Sequence, residues 1–298
     1  MTLAPIIVFT YNRLSHVKAL IESLQQNELA KDSQLFIFSD GGKTPEDIRK
    51  VSEVRSFLHA IQGFHSVEIN ESETNRGLAN SVIHGVTQVL QQYDKVIVLE
   101  DDLILSPYYL RFMNEALDVY EKDERVGTVN GHMLDLKGIK DETFFIHHID
   151  SWGWGTWRRS WDLFEANGSV LLKQLEERNL CKPFDFDGAY PFVRMLKRQI
   201  AGQNNSWAIR YRASMFLSNK LSVNAGRSLV INNGADGSGT HLKKGVLFPD
   251  GPLTKEPINV TYQVPVEDMQ ARKAFRRYYL WNNSKVHKAI VMMQNWFN

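Results

Sequence analysis

Lys95-Val96-Ile97-Val98-Leu99-Glu100-Asp101-Asp102 is an apolar run of strand length that ends in three consecutive carboxylates. Three acids crowded at the end of a buried strand raise charge repulsion and desolvation cost, and a bound cation relieves both. Oxygen ligands of this kind select a hard ion, Mg²⁺ or Mn²⁺, over zinc. In open α/β sheets the carboxyl ends of the strands are also where ligands bind. The run therefore predicts a divalent ion that holds a phosphorylated substrate; the competing reading is a solvated acidic turn.

The segments before it repeat the theme. Ala4-Pro5-Ile6-Ile7-Val8-Phe9 breaks into Thr10-Tyr11-Asn12-Arg13, after which Leu14, Val17, Leu20, Ile21 and Leu24 recur at helical spacing. Gln34-Leu35-Phe36-Ile37-Phe38-Ser39 runs into Asp40-Gly41-Gly42, and the weaker Ser66-Val67-Glu68-Ile69 leads to Asn75-Arg76-Gly77. Leu78, Val82, Val86 and Val89 then mark another helix. Strands alternating with helices imply parallel crossover units and a three-layer α/β/α sheet protein. The four strand ends should line one edge.

Thr10-Tyr11-Asn12-Arg13, Ser39-Asp40-Gly41, Asn75-Arg76-Gly77 and Glu100-Asp101-Asp102, in that order, resemble the nucleotide-sugar half of GT-A glycosyltransferases. The resemblance implies a Rossmann-like, mostly parallel central sheet and a donor site. It places Thr10, Tyr11 and Arg13 against base and ribose or phosphate, and Asp40 on a pyrimidine imide, favouring uracil or thymine. It sets Arg76 near the phosphates, Glu100 on sugar hydroxyls, Asp101 on ribose or metal waters and Asp102 on the metal. From the residues alone, Arg13 could equally be a helix-start cation paired with a surface acid.

Composition fits an ordinary enzyme. The chain has 298 residues, 43% of them hydrophobic and 23% charged, with net charge +1, so it can bury a large core and has no global pull toward nucleic acid. Its single cysteine, Cys181, cannot form an internal disulfide, which fits a reducing compartment. No apolar run reaches the length of a membrane span, and the opening Met1-Thr2-Leu3-Ala4-Pro5 lacks a basic region and cleavage site, so the expected location is cytoplasmic.

Further on, Asp150-Ser151-Trp152-Gly153-Trp154-Gly155-Thr156-Trp157 sets small residues between indoles. Exposed, Trp152, Trp154 and Trp157 would form a platform for sugar C–H faces; buried, they would be core. The stretch also resembles, more loosely, the glycine-and-tryptophan segment of the inverting N-acetylglucosaminyltransferase of N-glycan branching. That resemblance puts a carboxylate base in an aromatic-acidic motif, here Phe184-Asp185-Phe186-Asp187. Asp187 is the first candidate, with Asp185 and Asp150 as alternatives and a solvated loop or cap as the bland reading. Asn232-Asn233-Gly234-Ala235-Asp236-Gly237-Ser238-Gly239-Thr240-His241 resembles the loop that orders over bound donor. Its flexible part is Gly234, Asp236, Gly237, Ser238 and Gly239, and His241 is a second candidate metal ligand.

From Asp268 on, Arg272, Lys273, Arg276, Arg277, Lys285 and Lys288 interleave with aromatics, which suits either an anionic membrane surface or a terminal helix packed on the core. The expected organisation is a donor half at 1–130, an acceptor and catalytic half of the same domain at 131–265, and a basic amphipathic tail at 266–298. The expected activity is metal-dependent, inverting transfer from a UDP-type or dTDP-type donor to a glycan hydroxyl. The acceptor is lipid-linked, in bacterial surface polysaccharide (lipopolysaccharide O-antigen or capsule), at the inner face of the membrane. The alternatives are a sugar nucleotidyltransferase, which needs a glycine-rich phosphate loop that Thr10-Tyr11-Asn12-Arg13 does not supply, and a non-catalytic glycan-binding protein.

Overall fold

The computed structural model describes residues 2–139, 142–234 and 251–284. Its first half alternates strand and helix: β1 (Ile6–Thr10), α1 (Leu14–Gln25), β2 (Gln34–Ser39), α2 (Pro45–Leu58), β3 (Ser66–Glu71), α3 (Leu78–Leu90) and β4 (Lys95–Glu100). Then come β5 (Leu103–Leu105), α4 (Tyr109–Val119), β6 (Val126–Asn130), β7 (Thr143–Ile146) and β8 (Trp154–Trp157). Helices α5 (Arg158–Trp161), α6 (Gly168–Glu177), α7 (Cys181–Phe184), α8 (Phe192–Ile200) and α9 (Trp207–Leu217) lead to β9 (Leu221–Ala225), β10 (Val230–Asn232) and α10 (Met269–Asn282).

Among the described residues, eight strands form one sheet in the order β3-β2-β1-β4-β8-β6-β9-β7. β3, β2, β1 and β4 are mutually parallel, β8 runs antiparallel between β4 and β6, β9 is parallel to β6, and β7 closes the far edge antiparallel. Strand order reverses between β1 and β4, and at such a switch point the loops leaving adjacent strands diverge and open a crevice. Because β6 runs with β4, its end at Asn130 lies on the same edge as Glu100.

Both faces are covered, which makes the central strands continuous apolar runs. On one face Ile6, Val8, Ile37, Ile97 and Leu99 pack with Val17, Leu20, Ile21 and Leu24 of α1 and with Phe112 and Met113 of α4. On the other, Ile7, Phe9, Phe38 and Val98 meet Val82 and Val86 of α3 and the Trp154–Trp161–Trp207–Tyr211 group. A third cluster joins Phe144 and Ile146 of β7 to α6, α7, α8, α9 and α10 through Leu171, Phe184, Leu196, Ile209 and Phe275. Helix α10, expected as a tail, is thus part of the core: Ala271, Ala274, Phe275 and Tyr279 are buried, and the Asp268 amide donates to Phe145 O at 2.7 Å.

Candidate active site

At the switch point the end of β4 meets the start of α1. Arg13, the residue before α1, contributes its carbonyl to the helix (Val17 N to Arg13 O, 3.1 Å) and turns its side chain to the acids. Its Nη2 pairs with Asp101 Oδ1 and lies 3.0 Å from Asp102 Oδ2, and its Nε is 3.4 Å from Asp101 Oδ2. One guanidinium thus meets two buried carboxylates, Asp101 and Asp102, with Glu100 beside them in sequence. Burial, then Asp102 and Asp101, pushes the Glu100 carboxyl up to about 8. Burial also raises Asp101, against the opposing pull of Arg13. Burial works against charge on Arg13, but Asp101 and Asp102 outweigh it and hold the guanidinium protonated. The acid paired with Arg13 is therefore the triplet itself, not a surface residue.

Asn232, Asn233 and Gly234 lie over Asp102. The Asn233 amide donates to Asp102 O at 2.7 Å, Asn232 Nδ2 donates to Asp102 Oδ1 at 3.3 Å, and the Gly234 amide donates to Asn232 Oδ1 at 2.7 Å. A Cβ on Gly234 would stand 2.5 Å from Asp102 Oδ2, so only glycine lets the backbone approach this closely. Among the described residues no three His, Cys, Asp or Glu converge as a complete metal cage. A hard cation that takes one or two carboxylates and completes its shell with water and substrate phosphate needs no such cage. Two buried polar atoms beside the triplet, Thr10 Oγ1 and Arg13 Nη1, have no hydrogen-bond partner. The acid-rich oxygen donors and a buried N–H awaiting an acceptor fit a divalent ion together with a phosphate.

Asp40 ends β2 and pins its neighbours. Its Oδ1 accepts from the amides of Gly41 (3.0 Å) and Arg76 (2.8 Å), and its Oδ2 from Gly77 N (2.9 Å). Gly41 lies so close to Thr74 that a Cβ would meet backbone at 2.5 Å. A carboxylate has about four lone-pair sites, so three amides leave Asp40 room for one further donor; the residue expected to meet a pyrimidine imide is also a clamp on the neighbouring loops. Tyr11 OH accepts from Lys43 N at 3.4 Å, and Asn12 Nδ2 donates to Asp47 Oδ1 at 2.8 Å, tying the first loop to the start of α2. Arg76 is exposed, with Nε on Ser72 Oγ at 3.1 Å, and with Asp40, Asn70 and His84 it lines a cleft of about 290 Å³.

The model of a family described as glycosyl transferase family 2 matches residues 6–201 of the 298, well over half of the chain. The chain belongs to that family. Its mostly parallel central sheet is the Rossmann-like arrangement of the GT-A fold. A search of the curated proteins finds no match. Among solved structures it is similar to the mannosyltransferase PcManGT of Pyrobaculum calidifontis, in complex with GDP-Man and Mn2+ (17% identity, 43% of this chain and 34% of that chain, TM-score 0.31). It is also similar to S. aureus TarS (17%, 48% and 24%, TM-score 0.32) and to TarS 1-349 (15%, 58% and 49%, TM-score 0.36). The chain spans less than half the length of each.

On the far side of β8, the transferase carries a second polar group at the same edge. His132, just beyond β6 and bridged to Val230, sets Nδ1 2.7 Å from Asp150 Oδ2. Asp150 Oδ1 accepts from Trp152 N at 3.0 Å, and the half-buried Trp152 ring meets His132 edge-on at 4.8 Å. Burial works to raise the Asp150 carboxyl, but His132 outweighs it and leaves Asp150 below the usual carboxylate range. Behind this pair the half-buried His148 packs against Phe186, Phe275 and Tyr279, with Nδ1 bonded to the guanidinium of Arg212. Arg212 in turn lies 3.8 Å over the Phe192 ring. Among the residues expected at the catalytic step, Asp150 is the one on the strand-end edge; His132, His148 and Arg212 were not expected.

Other expectations are corrected. Trp154 and Trp157 are 0% and 1% exposed and cannot form a platform. β8 is buried on both faces, so Trp154 stacks on Trp207 at 5.1 Å in one core while Trp157 enters the other, with Nε1 on Leu117 O at 3.0 Å. Asp187 is exposed on a left-handed backbone (φ 58°) and pairs with Arg272 at 3.3 Å. Asp185 accepts from Val193 N at 2.7 Å, and burial raises its carboxyl. Both belong to the α7–α8 turn over the third cluster, and none of their hydrogen bonds reaches the triplet. Asp236, Gly237, Ser238, Gly239 and His241 lie outside the described residues.

Proposed function

We propose that this transferase moves a glycosyl unit from a nucleoside-diphosphate sugar, of UDP or dTDP type, to a hydroxyl of a glycan, with inversion and with Mg²⁺ or Mn²⁺ held at Asp102. The acceptor class is a lipid-linked glycan of bacterial surface polysaccharide, lipopolysaccharide O-antigen or capsule, met at the cytoplasmic face of the membrane. The observation that carries the reading is the partly neutralised acid triplet beside an unsatisfied Arg13 Nη1 at the switch point. When bound, the cation supplies charge neutralisation to the diphosphate. Arg13 adds a planar donor for phosphate oxygens, and the cleft beside Asp40 and Arg76 takes the nucleoside.

The acceptor proton passes to the His132–Asp150 pair. An imidazole backed by a carboxylate is a better proton acceptor than either alone, because the imidazolium is paired as it forms. As the O–H bond breaks, the acceptor oxygen bonds to the anomeric carbon and the bond to the diphosphate oxygen breaks with its electron pair on the leaving group. Attack from the β6 side opposes departure on the β4 side, which inverts the centre. Thermal shifts with a panel of nucleotide sugars, with and without Mn²⁺, followed by assay of nucleoside diphosphate release, test the reading. A UDP or dTDP sugar should stabilise the protein only with metal and turn over with acceptor glycan. Stabilisation by carbohydrate alone, with no nucleotide released, would reject catalysis in favour of a binding role.

A further inference from the structure

Eleven large apolar residues of the described chain are exposed, and six of them, Tyr262, Val264, Val266, Met269, Leu280 and Trp281, fall between residues 262 and 281. So strong a concentration of apolar surface in one short segment marks an interaction site rather than scattered surface residues. The segment is an extended strap running into α10. Helix α10 buries Ala271, Ala274, Phe275 and Tyr279, and its opposite stripe at helical spacing is Met269, Lys273, Arg276, Arg277 and Leu280, all exposed.

The charges on this stripe are of one sign. Among the described residues Lys273, Arg276 and Arg277 make no ion pair, whereas the neighbouring acids are occupied inward. Glu267 pairs with Arg272 at 3.1 Å, and Asp268 caps α10 by accepting from Gln270 N and Ala271 N. Three uncompensated cations flanked by Met269, Leu280 and Trp281 meet the two requirements of an anionic lipid surface: phosphate charge and an apolar layer beneath it. An acidic protein or nucleic acid would use the cations and leave the apolar side chains in water. Helix α10 is rooted in the third core cluster, so it would lie in the membrane plane with the domain above it. No described helix is long and apolar enough to cross a bilayer.

We infer that the outer stripe of α10 docks the protein on anionic phospholipid. The inference does not depend on the transfer reaction. The test is co-sedimentation of the full chain with phosphatidylcholine vesicles, with and without phosphatidylglycerol, at low and high salt. The intact protein should bind only the anionic vesicles and release as salt rises. Lys273→Gln/Arg276→Gln/Arg277→Gln should lower the partition coefficient roughly a hundredfold, about 3 kcal/mol for three charges. Met269→Ser/Leu280→Ser should weaken it severalfold while leaving the salt response in place. Unchanged circular dichroism and nucleotide-sugar thermal shift in both variants would keep folding and donor binding out of the comparison. Equal binding to neutral vesicles, or no binding at low salt, overturns the inference. So does full vesicle affinity in the Met269/Leu280 variant together with equal affinity for a polyanion such as heparin, which would leave only an anion patch.

Discussion

Arg13 Nη2 lies 3.0 Å from Asp102 Oδ2, so the cation at the head of α1 and the acid expected to face a divalent ion are already in contact. A divalent ion held at Asp102 would share its carboxylates with Arg13. Arg13→Gln removes the guanidinium that pairs with Asp101 and Asp102. It should lower the thermal midpoint of metal-free protein, because stripping one partner from a buried ion pair costs about 3–5 kcal/mol. Mn²⁺ should restore more stability to the variant than to the wild type. Thermal scans of both proteins across a metal titration check this; equal metal shifts would mean that the ion does not sit at the triplet.

Asp150→Asn should reduce transfer by a factor on the order of 10² to 10⁴, with nucleotide-sugar affinity nearly intact, because only proton removal is lost. Asp187→Asn, on an exposed turn, should leave turnover within about twofold. Parallel initial rates and donor thermal shifts separate the two. The opposite ranking would return the base to the α7–α8 turn.

The half-buried His148 makes the fold acid-sensitive. Burial, then Arg212, brings its pKa down from 6.5 to about 3. The unfolded chain therefore takes up a proton near pH 6.5 that the folded chain refuses until about pH 3. The unfolded state binds more protons over that window, so this group's contribution to stability is full above pH 6.5 and falls as pH drops through it. Urea unfolding at a series of pH values should show the loss, and His148→Asn should flatten it. An unchanged slope in the variant would move the acid sensitivity to another group.

Trp154→Ala should destabilise by about 3–5 kcal/mol, since it empties a fully buried indole site stacked on Trp207. Trp152→Ala should cost far less stability and act instead on acceptor KM. Chemical denaturation and steady-state kinetics of the two variants distinguish core from site.

Gly234→Ala would force a Cβ against the Asp102 carboxylate. The expected result is weaker metal dependence, read as a raised Mn²⁺ requirement, with little change in the unfolding midpoint. Unaltered Mn²⁺ activation would show that Asn232–Gly234 can withdraw without cost.

The donor edge was legible because each strand there is an apolar run that stops abruptly at a polar or glycine residue, and sheet order follows from parallel crossovers. Arg13 meets Asp101 and Asp102 at the end of β4, and Asp40 holds the Arg76–Gly77 loop at the end of β2. The acceptor side was harder to read. His132 and Asp150 are separated by 18 positions and meet only because β7 intervenes and the chain returns to start β8. No local periodicity records that return. The indoles misled for a related reason: on a strand buried on both faces, positions 154 and 157 point to opposite cores, and sequence spacing does not distinguish this from a turn that exposes them.

The antiparallel strand β8 also acts as a ruler. It holds β4 and β6 two ladder spacings apart, each roughly 4.8 Å, so the strand backbones that lead to the acids and to His132 run roughly 10 Å apart, an interval that hydrogen bonding fixes. A single hexose ring with its two bonding oxygens has to be measured against that interval. Loop changes on either side can reshape the crevice walls, but the spacing of the two strands that carry them would change only with a different sheet.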